Sequence, residues 1–513
     1  MLLIIIGLIF SLLFENILAL IKKPITQKIF TLLAGIIILT ISILFIYKSI
    51  SIFSLTFIYL TIFRIVNLIR LTDFKKQQDY LKRSFKRTLY FLTIIQAILI
   101  AFQYLFINGN RFSSINWIVL ISINLIISFV TFREIRKKLI KFRMPSYNSA
   151  YLSNEQLPSI TVAIPARNED QDLRDCLESI IKSNYPKLEI LVLDDCSQTR
   201  KTAEIIKEYA HDGVIFLQGE IPPKYFSAKN FAYQQLLNAS NGEIIFFMGV
   251  DVRMEELSLR DLVEYFIISK KRMLSVLPSN EINSNGIFRT ILIQPMRYFW
   301  ELGLPRTLLK QPPVLSTFWG IYKKDIDEFG GFRGLKKDIL PERTFARNYN
   351  KNEGMYEFFI NSNGFQLKSV KTLAEQKDTA IRLKYPSLKQ RLELLALVIA
   401  YKFIIFVLPF IEIIFGLISG NSSLTFFGII LLILSSSIFY FDVTITLRIK
   451  RYIVLIFSIP IAIYDIFLDF ISMWKYEFGE VIWKDRNVCI PVMSSDQNEK
   501  DQLSQIRNFD DKG

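Results

Sequence analysis

The feature that most constrains this chain is a set of apolar stretches, each about 20 residues long, crowded toward both ends. Hydrocarbon tolerates only backbone whose polar groups are satisfied internally, so stretches of this length and apolarity read as membrane helices. On the N-terminal side they cover 2–20, 29–47, 50–69, 88–107 and 116–133. The first opens MLLIII with no basic segment before it and no small-residue cleavage site, which argues against a signal peptide. Glu15 and Arg64 interrupt the first and third spans. Lys22, Lys23 and Lys28 follow the first span, Arg70 to Arg87 contains seven cations after the third, and Arg133 to Arg143 six after the fifth. The loops between are nearly neutral, so cations alternate with spans and place the N-terminus outside and residue 134 onward in the cytoplasm.

Apolar spans resume near 394. The stretch 394–419 contains Pro409 and Glu412 and reads as an interfacial helix leading into a span; 424–440 and 452–473 read as two further spans. Three crossings would put the tail outside and an even number would keep it inside, and both remain open. Asp465 and Asp469 share one helical face. An acidic pair in a membrane helix hints at function, and a helix end lying in the interface accounts for it as well.

With 51% hydrophobic and 21% charged residues, the chain is too apolar for a soluble protein and too charged for a pure membrane bundle. Lys+Arg 62 against Asp+Glu 47 leaves +15, a surplus suited to cytoplasmic loops, anionic lipid and phosphate. No basic helix or aromatic-basic ladder favours nucleic acid as partner. Cys176, Cys196 and Cys489 are too scattered for a disulfide scaffold or a CxxC zinc site. His211 is the sole histidine, so a His-ligated metal or a Ser-His-Asp triad is disfavoured, and any metal would be held through oxygen.

Between about 150 and 385 the pattern changes. ITVAIPA (160–166), LEILVLDD (188–195), VIFLQG (214–219) and EIIFFMGVD (243–251) read as strands, separated by helical segments at 173–184, 202–210 and 228–240. This alternation predicts a parallel α/β sheet. Polar residues after the strands' carboxyl ends gather in one crevice in such sheets, where ligands bind. Here they are Arg167, Asn168 and Glu169, then Asp194 and Asp195, then Asp251.

IPARNED, LEILVLDDCS, GEIPPKYFSAKNFA and EIIFFMGVDV, in this order, resemble the nucleotide-sugar domain of family 2 glycosyltransferases over roughly 158–350. Within that family the pattern is most similar to the membrane-bound enzymes that glycosylate carotenoids, hopanoids and related lipids. The resemblance implies a GT-A domain, an α/β fold, inserted between N-terminal and C-terminal transmembrane helix bundles. It implies that Pro165, Ala166, Arg167 and Glu169 line base and ribose, that Asp195 with Asp194 beside it contacts the base, and that Lys229 lies near the diphosphate. The alternative for these residues is structural: a turn, a cap and a solvated helix start.

The family's D-x-D is here Gly249-Val250-Asp251, leaving Asp251 as the remaining candidate ligand for Mg²⁺ or Mn²⁺. Gly330 and Gly331 are kept, but the family's acid pair has become Pro341-Glu342. By position Glu342 is the catalytic base; its alternative is an acid in the first turn of a helix that Pro341 opens. Trp319 stands where relatives tend to place a small polar residue. Gln390-Arg391 without a following tryptophan departs from the processive pattern and implies transfer of a single sugar. EVIWKDRNV (480–488) is similar to the W-K-G-R-x-Y tail of the lipid-glycosylating relatives, offering Lys484 and Arg486 as diphosphate contacts if the tail is cytoplasmic.

The expected organisation is therefore helices over 1–133, a basic linker over 134–157, the GT-A domain over 158–385, interfacial and transmembrane helices over 386–474 and a polar tail over 475–513. The expected function is an inverting transfer of one sugar from a nucleotide-sugar donor to a lipid-type acceptor at the cytoplasmic face of a bacterial inner membrane. The competing expectation is a pseudoenzyme that binds nucleotide sugar or serves assembly, suggested by Gly249, Pro341-Glu342 and Trp319.

Overall fold

The computed structural model describes residues 2–19, 24–48, 50–71, 78–106, 114–142, 152–223, 226–280, 296, 299, 301–303, 311–336, 338–351, 355–360, 367–447 and 452–488. Cys489 and the tail beyond it lie outside the described residues, as do Lys22, Lys23 and Arg143.

Five helices come first: α1 (Leu2–Leu18), α2 (Pro24–Lys48), α3 (Ile52–Arg70), α4 (Gln78–Phe106) and α5 (Ser114–Lys141). The two charges that interrupt spans one and three are partners. Arg64 Nε lies 2.9 Å from Glu15 Oε1, both side chains are fully buried, and Arg64 also donates to Gln96 at 2.8 Å. An ion pair with its spare donors satisfied is the form in which such charges persist in a dry interior. α5 runs past 133 to Lys141, because Ile135 is buried in the same core as the sheet that follows.

The central domain has a seven-stranded sheet of order β3-β2-β1-β4-β8-β6-β9. Its strands are β1 (Ile160–Ala166), β2 (Leu188–Asp194), β3 (Val214–Gln218), β4 (Ile244–Met248), β6 (Met273–Leu277), β8 (Phe318–Tyr322) and β9 (Tyr356–Ile360). β1 to β4 are mutually parallel and β8 runs antiparallel between β4 and β6. The crossovers are α6 (Gln171–Ile181), α7 (Lys201–Glu208) and α8 (Ala228–Ala239), followed by α9 (Ser258–Ile268), α10 (Lys323–Glu328) and α11 (Pro341–Lys351). A small sheet joins β5 (Val252–Met254), β10 (Leu367–Ser369) and β7 (Ser279–Asn280). Parallel strands joined by helices are the α/β pattern expected from the sequence.

The sheet's two faces differ in what covers them. One carries β-branched and aromatic residues against α6, α7 and α9. The other packs Phe247 and Trp319 with α8 and α11, and its core continues without a break into Ile405, Phe439 and Ile461 of the C-terminal apolar helices. The domain is thus built onto those helices.

α12 (Leu373–Ser387) starts at a reciprocal cap between Thr372 and Glu375. Next come α13 (Leu392–Lys402), a π-helical turn over Phe403–Val407, α14 (Leu408–Ser419), α15 (Ser422–Leu447) and α16 (Ser458–Phe478). Pro409 has no backbone N–H, and the π turn just before it is one way a helix absorbs that loss. The segment 394–419, read as an interfacial helix leading into a span, lies in one continuous helical run, Leu392–Ser419. Seven helical segments among the described residues are long and apolar enough to cross a membrane, three of them after the central domain; Ile4–Leu18 is shorter. The chain is a multi-pass membrane protein by this measure. The hairpin β11 (Ile482–Trp483)/β12 (Arg486–Asn487) closes the described structure.

Asp465 and Asp469 receive two lysines. Lys384 on α12 lies 2.6 Å from Asp465 and 3.1 Å from Asp469; Lys402, beside the π turn, lies 2.6 Å from Asp465 and also pairs with Asp469. All four side chains are buried at 9% exposure or less. Removing one member strands the others, which costs about 3–5 kcal/mol for a buried pair. Lys402→Met is expected to lower the stability of the detergent-solubilised protein by that order, and Lys402→Met with Asp469→Leu to recover part of it. Thermal unfolding of the two variants beside the parent checks this.

Candidate active site

The carboxyl ends of β1, β2 and β4 open onto one side of the sheet, so the residues after them converge. Pro165 and Ala166 end β1, and Ala166 accepts a backbone hydrogen bond from Asp195 at 2.7 Å. Asn168 and Cys196, in the two loops, adopt left-handed backbone (φ 49 and 52), a conformation that concentrates at functional sites. Asp194 turns back on its own loop and accepts from the Ser197 backbone N–H at 3.1 Å and its hydroxyl. It caps that turn. Arg167, expected along base and ribose, spends its donors on backbone carbonyls: Nη1 to Asp195 at 2.8 Å and to Cys196, Nε to Lys484 at 2.8 Å.

Lys484 belongs to the β11/β12 hairpin, which docks onto this crevice. Lys484 Nζ lies 2.8 Å from Glu169 Oε2, Arg486 Nη1 donates to Asp195 Oδ2 at 2.6 Å, and Asn168 donates to Asp485 at 3.0 Å. The structure thus brings the tail residues to the predicted donor crevice and pairs them with its acids. Burial pushes the Glu169 and Asp195 carboxyls up, and the Lys484 and Arg486 charges pull them back toward ionisation. Asp195 Oδ1 is buried with no hydrogen-bond partner.

The hairpin's contact also bears on topology. α12 and the hairpin both touch the central domain, so if the domain stays on one side no more than two of the three membrane-length segments between them cross fully.

Lys229 and Glu342 come together from different elements. Lys229 stands in the first turn of α8 and Glu342 in the first turn of α11, with Nζ 3.3 Å from Oε2. Glu342 is fully buried, and its Oε1 has no hydrogen-bond partner. The ammonium also sits 5.2 Å from the Tyr233 ring centroid. Burial pushes the Lys229 pKa down and Glu342 opposes the shift. Pro341 at the helix start and Glu342 beside it fit the structural alternative; the contact with Lys229 is what that alternative does not supply.

Asp251 lies just after β4, where Ser369 donates to Oδ2 at 2.6 Å and Lys371 Nζ lies 3.0 Å from the same oxygen. Lys371 and Ser369 were not singled out from sequence; only the pairing of β5 with β10 brings them here. For Mg²⁺ or Mn²⁺ the donor set is poor: one carboxylate, already bonded to a hydroxyl and an ammonium, beside a glycine. No group of three His, Cys, Asp or Glu among the described residues is placed to hold a metal ion. Trp319 is fully buried, stacked 4.5 Å from Phe247 and packed near Phe345. It fills the core and is not a block in the crevice.

With this geometry in place, comparison with known proteins is direct. Residues 161–330 match Glycosyl transferase family 2. That stretch is a family 2 glycosyltransferase domain. Its mixed α/β sheet is of the GT-A kind, flanked on both sides by apolar helices. Relatives include a probable glycosyltransferase, YdaM, of Bacillus subtilis, 28% identical over 205 residues that cover 38% of this chain and 48% of the relative. Another is a 4,4'-diaponeurosporenoate glycosyltransferase of Staphylococcus aureus, 27% identical over 198 residues, covering 37% and 51%. The matched part spans about half the length of these curated relatives. Among solved structures, a mannosyltransferase of Pyrobaculum calidifontis in complex with GDP-Man and Mn²⁺ aligns at 13% identity and a TM-score of 0.40, over 70% of this chain and 98% of that one.

The hairpin on the family 2 domain is held by charge-assisted hydrogen bonds, each worth about 1.5–3 kcal/mol. Replacing both Lys484 and Arg486 by alanine is expected to release it. Amide hydrogen exchange at residues 486–488 should then rise by about tenfold or more, with exchange in β1 and β4 unchanged.

Proposed function

We propose that this protein is a membrane-embedded glycosyltransferase that moves a single sugar, with inversion, from a nucleotide-sugar donor to a lipid acceptor at the cytoplasmic face of a bacterial inner membrane. The observation that carries the reading is the meeting of Lys229, within the family 2 stretch, with Glu342 in a domain that is built onto apolar helices. The acceptor oxygen attacks the anomeric carbon, the bond from that carbon to the diphosphate oxygen breaks, and the diphosphate leaves with the electron pair. Glu342 takes the acceptor proton. Lys229, 3.3 Å from that carboxylate, offers positive charge where the leaving group gains negative charge. Arg167, Glu169 and Asp195, tied to the tail hairpin, form the base and ribose side.

A lipid acceptor is supported by a cleft between the central domain and the apolar helices. Its wall includes Leu340 and Arg343, which flank Glu342 in sequence, with Leu315, Val398, Lys402 and Asp469. The basic loops support the cytoplasmic placement. The name of the Staphylococcus aureus relative, whose acceptor is a carotenoid acid, agrees with a lipid-type acceptor here.

Transfer of radiolabelled sugar to a total lipid extract, with a panel of nucleotide sugars, tests the proposal. Labelled lipid supports it; donor binding without transfer favours a nucleotide-sugar binder in its place. A general base contributes about 10²–10⁴-fold, so Glu342→Gln is expected to cut turnover by that factor without weakening donor binding. Gln keeps the shape and removes only the proton acceptor. Glu342→Asp draws the carboxylate back from Lys229 by about an ångström and is expected to cost around 10²-fold. Leu340→Trp narrows the cleft and is expected to raise the acceptor KM while calorimetric donor affinity stays at the parent value.

A further inference from the structure

We propose that the Lys371 ammonium is the cation that faces the donor diphosphate beside Asp251, so that nucleotide-sugar binding needs no divalent metal. This rests on the nucleotide-sugar reading above and concerns how that site handles charge.

Lys371 is fixed by backbone. Antiparallel pairing of β10 with β5 sets Ser369 opposite Val252, and the Val370 N–H donates to the Asp251 carbonyl at 2.8 Å. The chain therefore delivers Ser369 and Lys371 to Asp251 through ladder hydrogen bonds. The Lys371 side chain is only 14% exposed, and its ammonium lies 3.0 Å from Asp251 Oδ2. It stands at the family's metal-binding loop.

The same loop is poorly suited to a cation of higher charge. An acid at position 249 would be the second carboxylate, but a Cβ there would lie 2.6 Å from Asp251 Oδ1. The Asp251 carboxylate would have to turn aside to admit a side chain at 249, leaving the Ser369 and Lys371 contacts that now hold it. A divalent ion on Asp251 would also share one carboxylate with an ammonium, and like charges a few ångströms apart repel. A lysine meets the chemical need by itself. It is a compact point charge with three donors, a common partner for phosphate, and it already lies where the departing diphosphate gains charge. Asp251 then holds a lysine in position, a task for which one carboxylate suffices.

The test is calorimetric binding of uridine, guanosine and thymidine diphosphate sugars to the full-length protein in detergent, in EDTA and then with Mn²⁺. Equal affinity in the two conditions is expected for the preferred donor. Lys371→Met should weaken binding in EDTA by about tenfold or more, and Lys371→Arg should keep most of it. Binding by the parent that requires Mn²⁺ would overturn the proposal while leaving the nucleotide-sugar reading intact. So would Lys371→Met binding like the parent in EDTA. A parent that binds no nucleotide sugar in either condition would end that reading and this one with it. The EDTA comparison uses the parent alone, so it decides the matter even if Lys371→Met fails to fold.

Discussion

The buried cluster of Lys384, Lys402, Asp465 and Asp469 ties together three helices on which the placement of the tail depends. Lys384 belongs to the helix that leaves the family 2 domain, Lys402 to the first apolar helix after it, and the two aspartates to the last helix. Each ion needs the others to offset its desolvation, so the three helices have one mutual arrangement. The consequence reaches the crevice. The hairpin of Lys484 and Arg486 starts four residues after Phe478 ends the last helix, too few to wander. Where that helix is set, the hairpin is set, and Glu169 and Asp195 receive their cations.

The crevice repeats the same device on a smaller scale. Each acid named from sequence, apart from the turn-capping Asp194, has its own cation: Glu169 with Lys484, Asp195 with Arg486, Asp251 with Lys371 and Glu342 with Lys229. Carboxylates buried to this degree and standing alone would be costly to keep charged. Paired, each has a cation to offset that cost, and the cations remain close to where a diphosphate would bring two or three negative charges. A ligand of that charge enters a site whose balance is already near zero and whose lysines can turn toward it over a few ångströms.

Sequence made the strand ends legible because a β-branched run followed by polar residues leaves a local trace. The acids after β1, β2 and β4 converge as a parallel sheet requires. What escaped was partnership across long separations. Glu15 and Arg64 read as two blemishes in two spans and are one ion pair; Asp465 and Asp469 read as an unexplained acidic face and are half of a neutral cluster. Lys371 left no trace at all, since nothing in LKSVKT says which loop its strand will meet. Trp319 misled for a related reason. Alternation along a five-residue strand does not say which face holds the crevice, and its indole points into the core beside Phe247.

The hairpin turn shows how a departure from the family pattern can be absorbed. Lys484 and Asp485 both have positive φ, 48 and 62, as a two-residue turn between twisted strands demands. Glycine, which the similar tails carry at the second position, meets that demand without steric cost; an L-residue costs about 1–2 kcal/mol. Asp485 recovers part of this by accepting a hydrogen bond from Asn168, itself left-handed at φ 49. Two strained residues from distant parts of the chain therefore brace each other where the tail meets the loop after β1. A glycine at 485 would relax the turn and drop the brace, loosening the hairpin on the crevice. The aspartate thus ties the tail's conformation to the donor loop, which the family's glycine cannot do.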